Sequence, residues 1–520
     1  MRLDLIQADG STRLGHEAGQ VPATVVDVDE ARWLDIAHAA RTDRSRLVAM
    51  WGTETPEREF SVNAAYECDD GVLWVRLATG PEPRADGDYP DLAGVFPAAT
   101  RMQRAIFDLT GLRERNTRDT RPWLNHGNWP GNYFPLQKRA TGIERFESNE
   151  ADYPFVQVVG EGVHEIAVGP IHAGIIEPGH FRFSVVGEKV LRLEERLGYV
   201  HRGVERLFER TAASNGHRVA GRVAGDSTVA FSWAYCMALE QACGTAVPAR
   251  ALVLRALLLE RERIANHLGD LGALGNDAGF AFGLAQFSRL KENWVRTNGG
   301  IFGHRYLMDR IVPGGLAVDI HPEDAATLTE QCERIAREVH VMRKIYEEQS
   351  GLQDRFLGTG RLNADVVAHF GVRGMAARAS GQTFDVRANL RPAPYGDLAV
   401  KAASDPRGDV AARVAVRFAE IDESLRLMGE LLANLPEGPI AVGVTPAAAP
   451  SRGIGWVEGW RGDVFVALEM ASGDAIARCH CHDPSWQNWP ALEHAIIGNI
   501  VPDFPLINKS FNLNYAGHDL

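Results

Sequence analysis

Residues 168–209, VGPIHAGIIEPGHFRFSVVGEKVLRLEERLGYVHRGVERLFE, decide the fold. A β-branched run enters a loop rich in glycine and proline, and two alternating strands, HFRFSVV and KVLRLEERL, follow on either side of Gly187. This pattern predicts a β-hairpin that leads into a helix. His172, Glu177 and His180 lie in or beside the loop, and irregular backbone on a rigid scaffold often carries chemistry. We therefore take these three residues as candidate catalytic residues.

The composition is that of an ordinary globular protein, with 520 residues, 45% of them hydrophobic and 24% charged. This length is enough for two domains and a large core. The net charge of −13 and the lack of a basic block argue against binding of nucleic acid. We expect no transmembrane segment, because no apolar run approaches the ~20 residues that span a bilayer. With no signal-peptide core at the start and six scattered cysteines, the sequence predicts a soluble or peripheral cytoplasmic chain.

Residues 1–140 are predicted to form a small α/β domain. Strands are expected over 46–52, 59–68 and 72–79, the last two joined in a hairpin through Gly71. Two helices are expected in the same domain, over residues 31–40 and 98–111.

The predicted fold class is α+β, with a mainly helical domain after the small first one. Residues 141–158 are polar and uneven and are expected to be a linker. Residues 159–520 form the second domain, which begins with the antiparallel hairpin sheet and continues into helices such as 409–434.

A series of stretches from about residue 160 to residue 520 carries a family resemblance. They are GPIH, EPGHFRF, LGYVHRGVERLFE, RVAGDSTVAFSWAY, ERIANHLGDLGALGNDAGF, GDVAARVAVRFAEIDESL, LPEGP, DPSWQNWPAL and VPDFPLINKSFNL. In this order they resemble the large catalytic subunit of membrane-bound, energy-converting NiFe hydrogenases, including the formate hydrogenlyase large subunit. That subunit is related to the quinone-site (D) subunit of respiratory complex I.

The first domain carries a second resemblance, through RAIFDLTGL and RPWLNHGNWPGNYFPLQKR. These stretches are similar to the small C-type subunit of complex I, which is fused ahead of the large subunit in formate hydrogenlyase-type proteins. An acidic residue usual before the Ile-Phe-Asp-Leu core of that subunit is Ala105 here, so we expect an assembly module. An unrelated α+β domain is the alternative.

The resemblance implies a nickel–iron centre held by four cysteines in two CxxC pairs, since thiolates hold nickel and bridge it to iron. The four places are occupied by Ala224, Ser227, Asn514 and Gly517, and the chain has no CxxC. Alanine and glycine side chains cannot ligate, and a serine and an amide are poor substitutes for thiolates. We therefore predict no nickel, no firmly bound cofactor and no hydrogen activity of the chain's own.

Glu177 resembles the hydrogenase glutamate that passes protons to and from the metal site. A carboxyl group buried in such a loop has its pKa raised by desolvation, which suits proton relay near neutrality. His172 and His180 would extend the relay. The alternative is that Glu177 is an exposed turn residue and His172 a hydrogen-bonded core histidine.

A quinone site of the complex I type is not strictly matched. The resemblance implies a histidine four residues before Arg182 and a tyrosine just ahead of the following alanine-rich helix. This chain has Pro178 at the first place and Gly225 near the second. A quinone reductase with a changed pocket therefore remains an alternative.

Further residues are expected to line a cavity on the basis of the same resemblance: Arg222, Asp226, Asp277 and Arg387. For Arg387, as for Arg391, an exposed arginine is the alternative. Asp226 and Ser227 also form a good N-cap pair for the helix that follows.

A polar stripe is predicted on the long helix after Pro248, because Glu260, Arg263, His267 and Asp270 recur at helical spacing. Two interpretations of this stripe stay open, namely salt-bridged packing between helices and the polar wall of a redox cavity.

The segment opened by Tyr199 is predicted to be helical, and the resemblance implies that it packs on a small partner subunit with a 4Fe–4S cluster. His201, Arg202 and Glu205 are the expected contacts. A solvated surface helix is the alternative.

The run Cys479-His480-Cys481-His482 invites interpretation as a metal site. Its neighbours have strand character, however, and the period of two sends the cysteines to one face and the histidines to the other. The four side chains cannot converge tetrahedrally, so we expect no structural zinc.

These observations together predict an oxidoreductase subunit of a hydrogenase-related or NADH:quinone oxidoreductase-like complex. The resemblance implies a small Fe–S partner, antiporter-like and H-type membrane subunits, and a place on the cytoplasmic face of the membrane. It also implies quinone and NAD binding within such complexes. Electron transfer from the 4Fe–4S cluster, coupled to proton movement, is the expected role, and a non-catalytic assembly subunit is the alternative.

Overall fold

The fold is known from a computed structural model that describes residues 11–520, apart from 16, 18, 56, 150–152 and 448. The strands are β1 Thr12–Leu14, β2 Ala23–Val28, β3 Leu47–Glu54, β4 Phe60–Cys68, β5 Gly71–Gly80, β6 Tyr89–Pro90, β7 Glu114–Arg115, β8 Val163–Val168, β9 His180–Val186, β10 Lys189–Arg196, β11 Ile311–Val312, β12 Gly315–Leu316, β13 Ser451–Glu458, β14 Asp463–Met470 and β15 Ile476–His482. The α-helices are α1 Glu30–Thr42, α2 Ala99–Thr110, α3 Val204–Glu209, α4 Gly216–Ala220, α5 Thr228–Ala242, α6 Ala249–Asp277, α7 Ala281–Phe302, α8 Pro322–Glu348, α9 Ser350–Phe356, α10 Ala364–Phe370, α11 Gly374–Arg378, α12 Val386–Asn389, α13 Val410–Ala433, α14 Ser485–Ala495, α15 Phe504–Phe511 and α16 Ala516–Asp519.

The first sheet has the strand order β1-β2-β5-β4-β3, with β2 and β5 parallel and the other neighbours antiparallel. Strands β3 and β4 are buried almost throughout, because layers cover both faces of the sheet. Helix α2 packs on β3. On the same strand Trp51 meets Phe465 of β14, with ring centroids 6.2 Å apart. The first sheet is thereby joined to the last one.

The stretch that decides the fold forms a three-stranded antiparallel sheet in the order β10-β9-β8. Phe181, Phe183 and Val185 point into the core, while His180 and Arg182, at alternate positions of β9, are only partly buried. The predicted hairpin and its alternation of faces are confirmed.

Helix α5 is buried on every side, as its alanine-rich and apolar sequence requires of a core helix. Strand β13 crosses it so closely that a Cβ atom at Gly455 would overlap the carbonyl oxygen of Ala234. Gly453 meets Ala238 of the same helix in the same way. Glycine at these two positions therefore allows the last sheet, ordered β13-β14-β15, to lie directly on α5.

The structure confirms the α+β fold class and the predicted elements at 31–40, 98–111 and 409–434 within a residue or two. The predicted helix opened by Tyr199 is wrong at its start, because α3 begins only after Gly203, whose φ is +67°. The division of the chain at residues 140 and 158 stays a prediction. Extensive contacts cross it, among them the ion pair between Arg46 and Asp463.

None of the helices in the described part of the chain is both long and apolar enough to cross a membrane.

We predict that Gly455→Ala lowers the apparent melting temperature or the soluble yield of the protein, because the added methyl group pushes β13 off α5. Overpacking of this kind costs roughly 1–3 kcal/mol, and more where backbone must move. Gly429→Ala is the matched control, since Gly429 lies exposed in α13 with open space around its Cα. The control should be neutral or slightly stabilising. Equal melting temperatures for the two variants would contradict the close packing.

Candidate functional site

The loop between β8 and β9 is closed by contacts between its two ends. The N–H of Gly179 donates to the carbonyl of Pro170 at 3.0 Å. Gly169 has a φ of +90°, and a Cβ there would overlap the carbonyl oxygen of Gly179. The ring of Tyr515 leaves no room for a Cβ at Gly179. The loop is thus fixed against the segment just before α16.

Glu177 and His172 both reach that segment. The Glu177 Oε2 atom accepts a hydrogen bond from the N–H of Ala516 at 2.9 Å. His172 has Nδ1 3.1 Å from the carbonyl of Pro170 and Nε2 3.5 Å from the hydroxyl of Tyr515. The Glu177 side chain is exposed, so the burial on which its expected relay chemistry rested is absent, and the turn-residue alternative describes its placement.

His180 does not join these two residues. It begins β9, and its ring centroid lies 5.0 Å from that of Phe155. Burial, together with the neighbouring Arg182 guanidinium, lowers the pKa of His180. Its Nε2 is buried without a hydrogen-bond partner within the described residues.

The four places of the implied metal ligands are buried and lie in two segments that one guanidinium connects. Arg461 donates to both carboxylate oxygens of Asp226, at 2.8 and 2.6 Å, and to the Ser227 hydroxyl at 3.3 Å. Its Nε donates to the carbonyl oxygen of Asn512 at 2.5 Å. Burial acts to raise the pKa of Asp226, but the Arg461 guanidinium outweighs this effect and the pKa is lowered. Asp226 is thus the anionic partner of a fixed cation.

The second segment is held by a buried amide network. The Asn514 side chain donates to Asp483 Oδ2 at 2.9 Å and accepts from the N–H of Gly517 at 2.9 Å. A Cβ atom at Gly517 would lie 2.5 Å from the Asn514 Nδ2 atom and 2.7 Å from Asp483. Burial raises the pKa of Asp483, although Arg461 opposes this effect.

These residues do not fit a nickel–iron centre. The donor set contains no thiolate, the side chains at Ala224 and Gly517 carry no ligand atom, and a cation already bridges the two segments. In the part of the chain that the structure describes, no three histidine, cysteine, aspartate or glutamate side chains converge as a metal ion requires.

The polar stripe of α6 lies inside the helical core, as the salt-bridged alternative expects. Glu260 receives bonds from Arg387 at 2.8 and 2.9 Å and from Tyr395 at 2.7 Å. His267 Nε2 lies 2.7 Å from Glu420. Arg387 is therefore buried rather than exposed, and it contacts an acidic core side chain.

Asp270 completes the stripe and is bound by Arg417 at 2.8 and 3.0 Å. Two other residues expected to line a cavity lie elsewhere. Arg222 is exposed and pairs with Asp309 at 2.7 Å. Asp277 is the exposed last residue of α6.

The predicted partner contacts are only partly at the surface. Glu205 is 4% exposed and points inward to Arg478 and His480, so its expected surface role is wrong. The reason is that α3 buries its Val204, Glu205 and Phe208 side. Arg202 is exposed, and half-buried His201 contacts the carbonyl of Asp519 at 2.8 Å; the partner role of these two stays a prediction.

Two polar residues of the site, Arg461 and Glu262, had no signal in the sequence. Ser227 makes no side-chain cap on α5, and Glu262 of α6 instead accepts from the N–H groups of Val229 and Ala230 at 2.7 and 3.2 Å. Burial raises the pKa of Glu262 to about 8. Helical spacing alone cannot reveal this contact, because it depends on how α6 packs against α5.

The cysteine–histidine run of β15 follows the predicted alternation. Cys479 and Cys481 pair with Leu468 and Val466 of β14, and both are fully buried. The His480 ring stacks on Trp51 of the first sheet, with centroids 5.2 Å apart.

Comparison with known proteins gives the class to which this fold belongs, that of oxidoreductase subunits of the hydrogenase and complex I type. The family model described as "Respiratory-chain NADH dehydrogenase, 49 Kd subunit" matches residues 277–455. The model described as "Respiratory-chain NADH dehydrogenase, 30 Kd subunit" matches residues 26–145.

Relatives cover most of the chain. Formate hydrogenlyase subunit 5 of Escherichia coli is 31% identical over 437 residues, which are 83% of this chain and 77% of that protein. The fused C/D subunit of the NADH-quinone oxidoreductase of Bacteroides thetaiotaomicron is 26% identical over 501 residues, covering 90% of this chain and 93% of that protein. The chain therefore belongs to the family of formate hydrogenlyase large subunits and fused complex I C/D subunits, and the predicted resemblance is confirmed.

A solved structure shares the fold. It is a chain of the membrane-bound sulfane sulfur reductase, an archaeal respiratory membrane complex, and it aligns with a TM-score of 0.65 at 23% identity. The match covers 70% of this chain and all of the other. The relatives are subunits of membrane-bound hydrogenase or complex I-like complexes.

We predict that Arg461→Gln lowers the free energy of unfolding by about 1–2 kcal/mol, because it leaves the Asn512 carbonyl unpaired and removes charge-assisted bonds to Asp226, whose partly exposed side chain is screened by solvent. Denaturant unfolding of the full chain measures the change. Arg222→Gln, which removes an exposed arginine–aspartate pair, is the control and should cost no more than about 1 kcal/mol.

The double variant Asp226→Asn/Arg461→Gln should cost less than the sum of its single variants, since the two side chains form one pair. Additive costs, or equal costs for Arg461→Gln and Arg222→Gln, would argue against the bridge.

Proposed function

We propose that the chain is a peripheral subunit, on the cytoplasmic face, of a membrane-associated hydrogenase-related complex that transfers electrons without a nickel–iron centre in this subunit. A small partner subunit with a 4Fe–4S cluster supplies the electrons. Proton movement through Glu177 and His172 is coupled to antiporter-like and H-type membrane subunits. The similarity to formate hydrogenlyase subunit 5 and to fused C/D subunits supports the class of complex.

The observation that carries the proposal is the Arg461 bridge. The two segments that resemble the metal-binding ones hold a guanidinium between Asp226 and the Asn512 carbonyl. The residues at this site supply no thiolate ligands for a nickel–iron centre, and therefore no hydrogen chemistry there. We infer that the site instead serves electron and proton transfer with a partner.

The position of Glu177 supports a role in proton transfer. Its carboxylate contacts Ala516, two residues from Asn514 and next to Gly517, and it is open to solvent. A carboxylate in this place meets solvent on one side. On the other side it lies against the segment that contains Asn514 and Gly517. His172, which touches Tyr515, is the second titratable group in reach of that segment.

The surface around Glu177 favours an apolar acceptor, which supports quinone reduction in a changed pocket as the second candidate. Ile171 is 84% and Ile175 fully exposed, and Ile176 is 38% exposed. Large apolar side chains gathered in one exposed loop mark a binding surface.

We expect Glu177→Gln to lower acceptor-dependent turnover of the purified complex by roughly 10²–10⁴-fold, the range of general acid–base contributions. The amide oxygen still accepts from the Ala516 N–H, so the loop keeps its position and the loss reports proton transfer. Glu188→Gln, at the exposed turn between β9 and β10, is the control and should keep full turnover. Full turnover of Glu177→Gln would point to a non-catalytic assembly subunit.

Elemental analysis of the purified complex should find nickel far below one atom per chain, and the complex should take up no hydrogen. The iron content should match that of partner clusters alone. Stoichiometric nickel would overturn the proposal and restore a hydrogenase.

A further inference from the structure

Three charged side chains meet between helix α2, strand β10 and helix α14. The guanidinium of Arg101, in α2, donates from Nη1 to Glu195 Oε1 at 2.6 Å and from Nη2 to Glu493 Oε1 at 2.8 Å. Glu195 lies in β10 and Glu493 in α14. One cation therefore serves two carboxyl groups that come from different elements.

The two carboxyl groups lie side by side. Each has one oxygen on the same planar guanidinium, and Glu493 Oε1 also accepts the backbone N–H of Glu195 at 2.9 Å. Two carboxylates that share one place do not both ionise readily, because each negative charge disfavours the other. This geometry favours a single negative charge on the pair.

Glu195 is the inner member of the pair. Its side chain is fully buried, whereas that of Glu493 is 20% exposed. The second oxygen of Glu195, Oε2, is buried and has no hydrogen-bond partner among the described residues. A charged oxygen without a partner is far more costly in the interior than a protonated one. Glu195 Oε2 is therefore the atom on which a proton is most favourable.

The described surroundings bring no second cation into contact with the pair. The charged groups that act on Glu195 are Arg101 and Glu493. Two residues of β10 act on Glu493 as well, and Glu194 opposes the effect of Arg192. Arg192 is 42% exposed, and its ion pair is with Glu194, at 3.6 Å. Arg101 is thus the one cation that both acids contact.

The direction of the pKa shifts agrees with this geometry. Burial raises the pKa of Glu195, and Glu493 raises it further, so that it lies well above its usual range although Arg101 opposes both effects. Burial also raises the pKa of Glu493, against the opposing charge of Arg101. Two acids in such contact titrate as a pair.

We propose that Glu195 and Glu493 form an acid pair that holds a single proton at neutral pH, carried by Glu195, and that this pair is a proton store behind the Glu177 loop. With the proton bound, the remaining carboxylate charge is matched by Arg101. Release of the proton converts the carboxylic acid of Glu195 to a carboxylate and leaves one negative charge without a partner cation. Uptake of a proton restores the acid, with no other change in bonding.

Glu195 lies on the inner side of the sheet that carries the Glu177 loop. In the antiparallel pairing of β9 and β10 it is opposite Phe181, so both side chains leave the sheet on the same face. The Phe181 ring contacts that of His172, with centroids 5.3 Å apart. The acid pair and the loop are therefore separated by a single layer of side chains.

Tyr515 responds to both the pair and the loop. Burial raises the pKa of Tyr515, and the charges of Glu195 and Glu177 add to this effect. The Tyr515 hydroxyl also lies 3.5 Å from His172 Nε2. A proton on Glu195 therefore changes the electrostatic potential at a hydroxyl that the loop contacts. The use of the stored proton in turnover rests on the proposed function, whereas the binding of the proton does not.

Infrared difference spectra of the full chain at neutral pH test the pair directly, because carboxylic acids and carboxylates absorb in separate bands. Glu195→Gln should remove one carboxylic acid band and leave the carboxylate band unchanged. Glu493→Gln should have the same effect, because Glu195 then ionises against the freed Arg101 guanidinium. Loss of carboxylate signal in place of acid signal in either single variant would overturn the proposal.

The matched control is Glu188→Gln, at the exposed turn between β9 and β10. It should remove carboxylate signal alone, since an exposed glutamate has a pKa of about 4.3. The double variant Glu195→Gln/Glu493→Gln should remove one acid and one carboxylate. Should Glu195→Gln fail to fold, Glu493→Gln carries the same comparison, because its side chain reaches the surface.

The use of the stored proton is tested by the turnover of the purified complex as a function of pH. Turnover of the unmodified complex should fall as the pH rises through the pKa of the pair, because the store is then empty. In Glu195→Gln turnover should be lower and this pH dependence absent. A pH profile of Glu195→Gln that equals that of the unmodified complex would reject the store.

Failure of the proposed function has a different signature. Glu177→Gln should keep the carboxylic acid band of the pair while it loses turnover. Full turnover of Glu177→Gln with an intact acid band would reject the role of Glu177 and leave the acid pair standing.

Discussion

The bond between the Arg461 guanidinium and Asp226 is the constraint on which the site depends. Metal centres of four thiolates cross-link distant segments of a chain, and their binding energy contributes to folding. In this chain a planar cation with five N–H donors takes over the cross-link, reaching Asp226, Ser227 and the Asn512 carbonyl together. The two segments are thereby held together by a side chain of the protein itself, without any thiolate.

The long helices are tied by a second ionic system, in which carboxylates and guanidiniums alternate. Its members are Glu260, Arg263, Arg378, Asp385, Arg387, Glu420 and Glu458. The carboxylates exceed the guanidiniums by one, and burial with the nearby Asp385 raises the pKa of Glu458 to about 7. Buried charges of this kind contribute little net stability, but removing one partner is costly. The network therefore fixes the register of α6 against α13 and β13 rather than forming an open cavity wall.

Local patterns predicted the local structure well. The hairpin of β9 and β10 and the alternation of β15 both follow from periods that neighbouring residues set. Strands β1 and β2 were not predicted, because their alternating patterns are too short. Strand β2 pairs in parallel with β5, which is distant in the sequence. Pairing across such a sequence distance cannot be derived from periodicity.

The site was predicted less completely, for a related reason. The four replaced ligand positions follow from the family resemblance alone, and the structure adds what fills the space between them. Arg461 and Glu262 act through contacts between elements, so no spacing marks them. For Glu205 the sequence contained a signal, but the prediction was wrong. Its motif indicated a helix at the surface, whereas the packing of α3 turns the Glu205 side chain toward His480.

The short helix α16 is the point at which these features meet. Glu177 bonds its first residue, Ala516, and Asn514 bonds Gly517. Asp519 accepts from the N–H of Val200 at 3.1 Å. A helix of four residues has no stability of its own, so its position is set by these contacts from the loop and from the end of the hairpin. A change of charge at Glu177 therefore acts on one small element, and that element carries Gly517, one of the four places at which the resemblance implies a metal ligand.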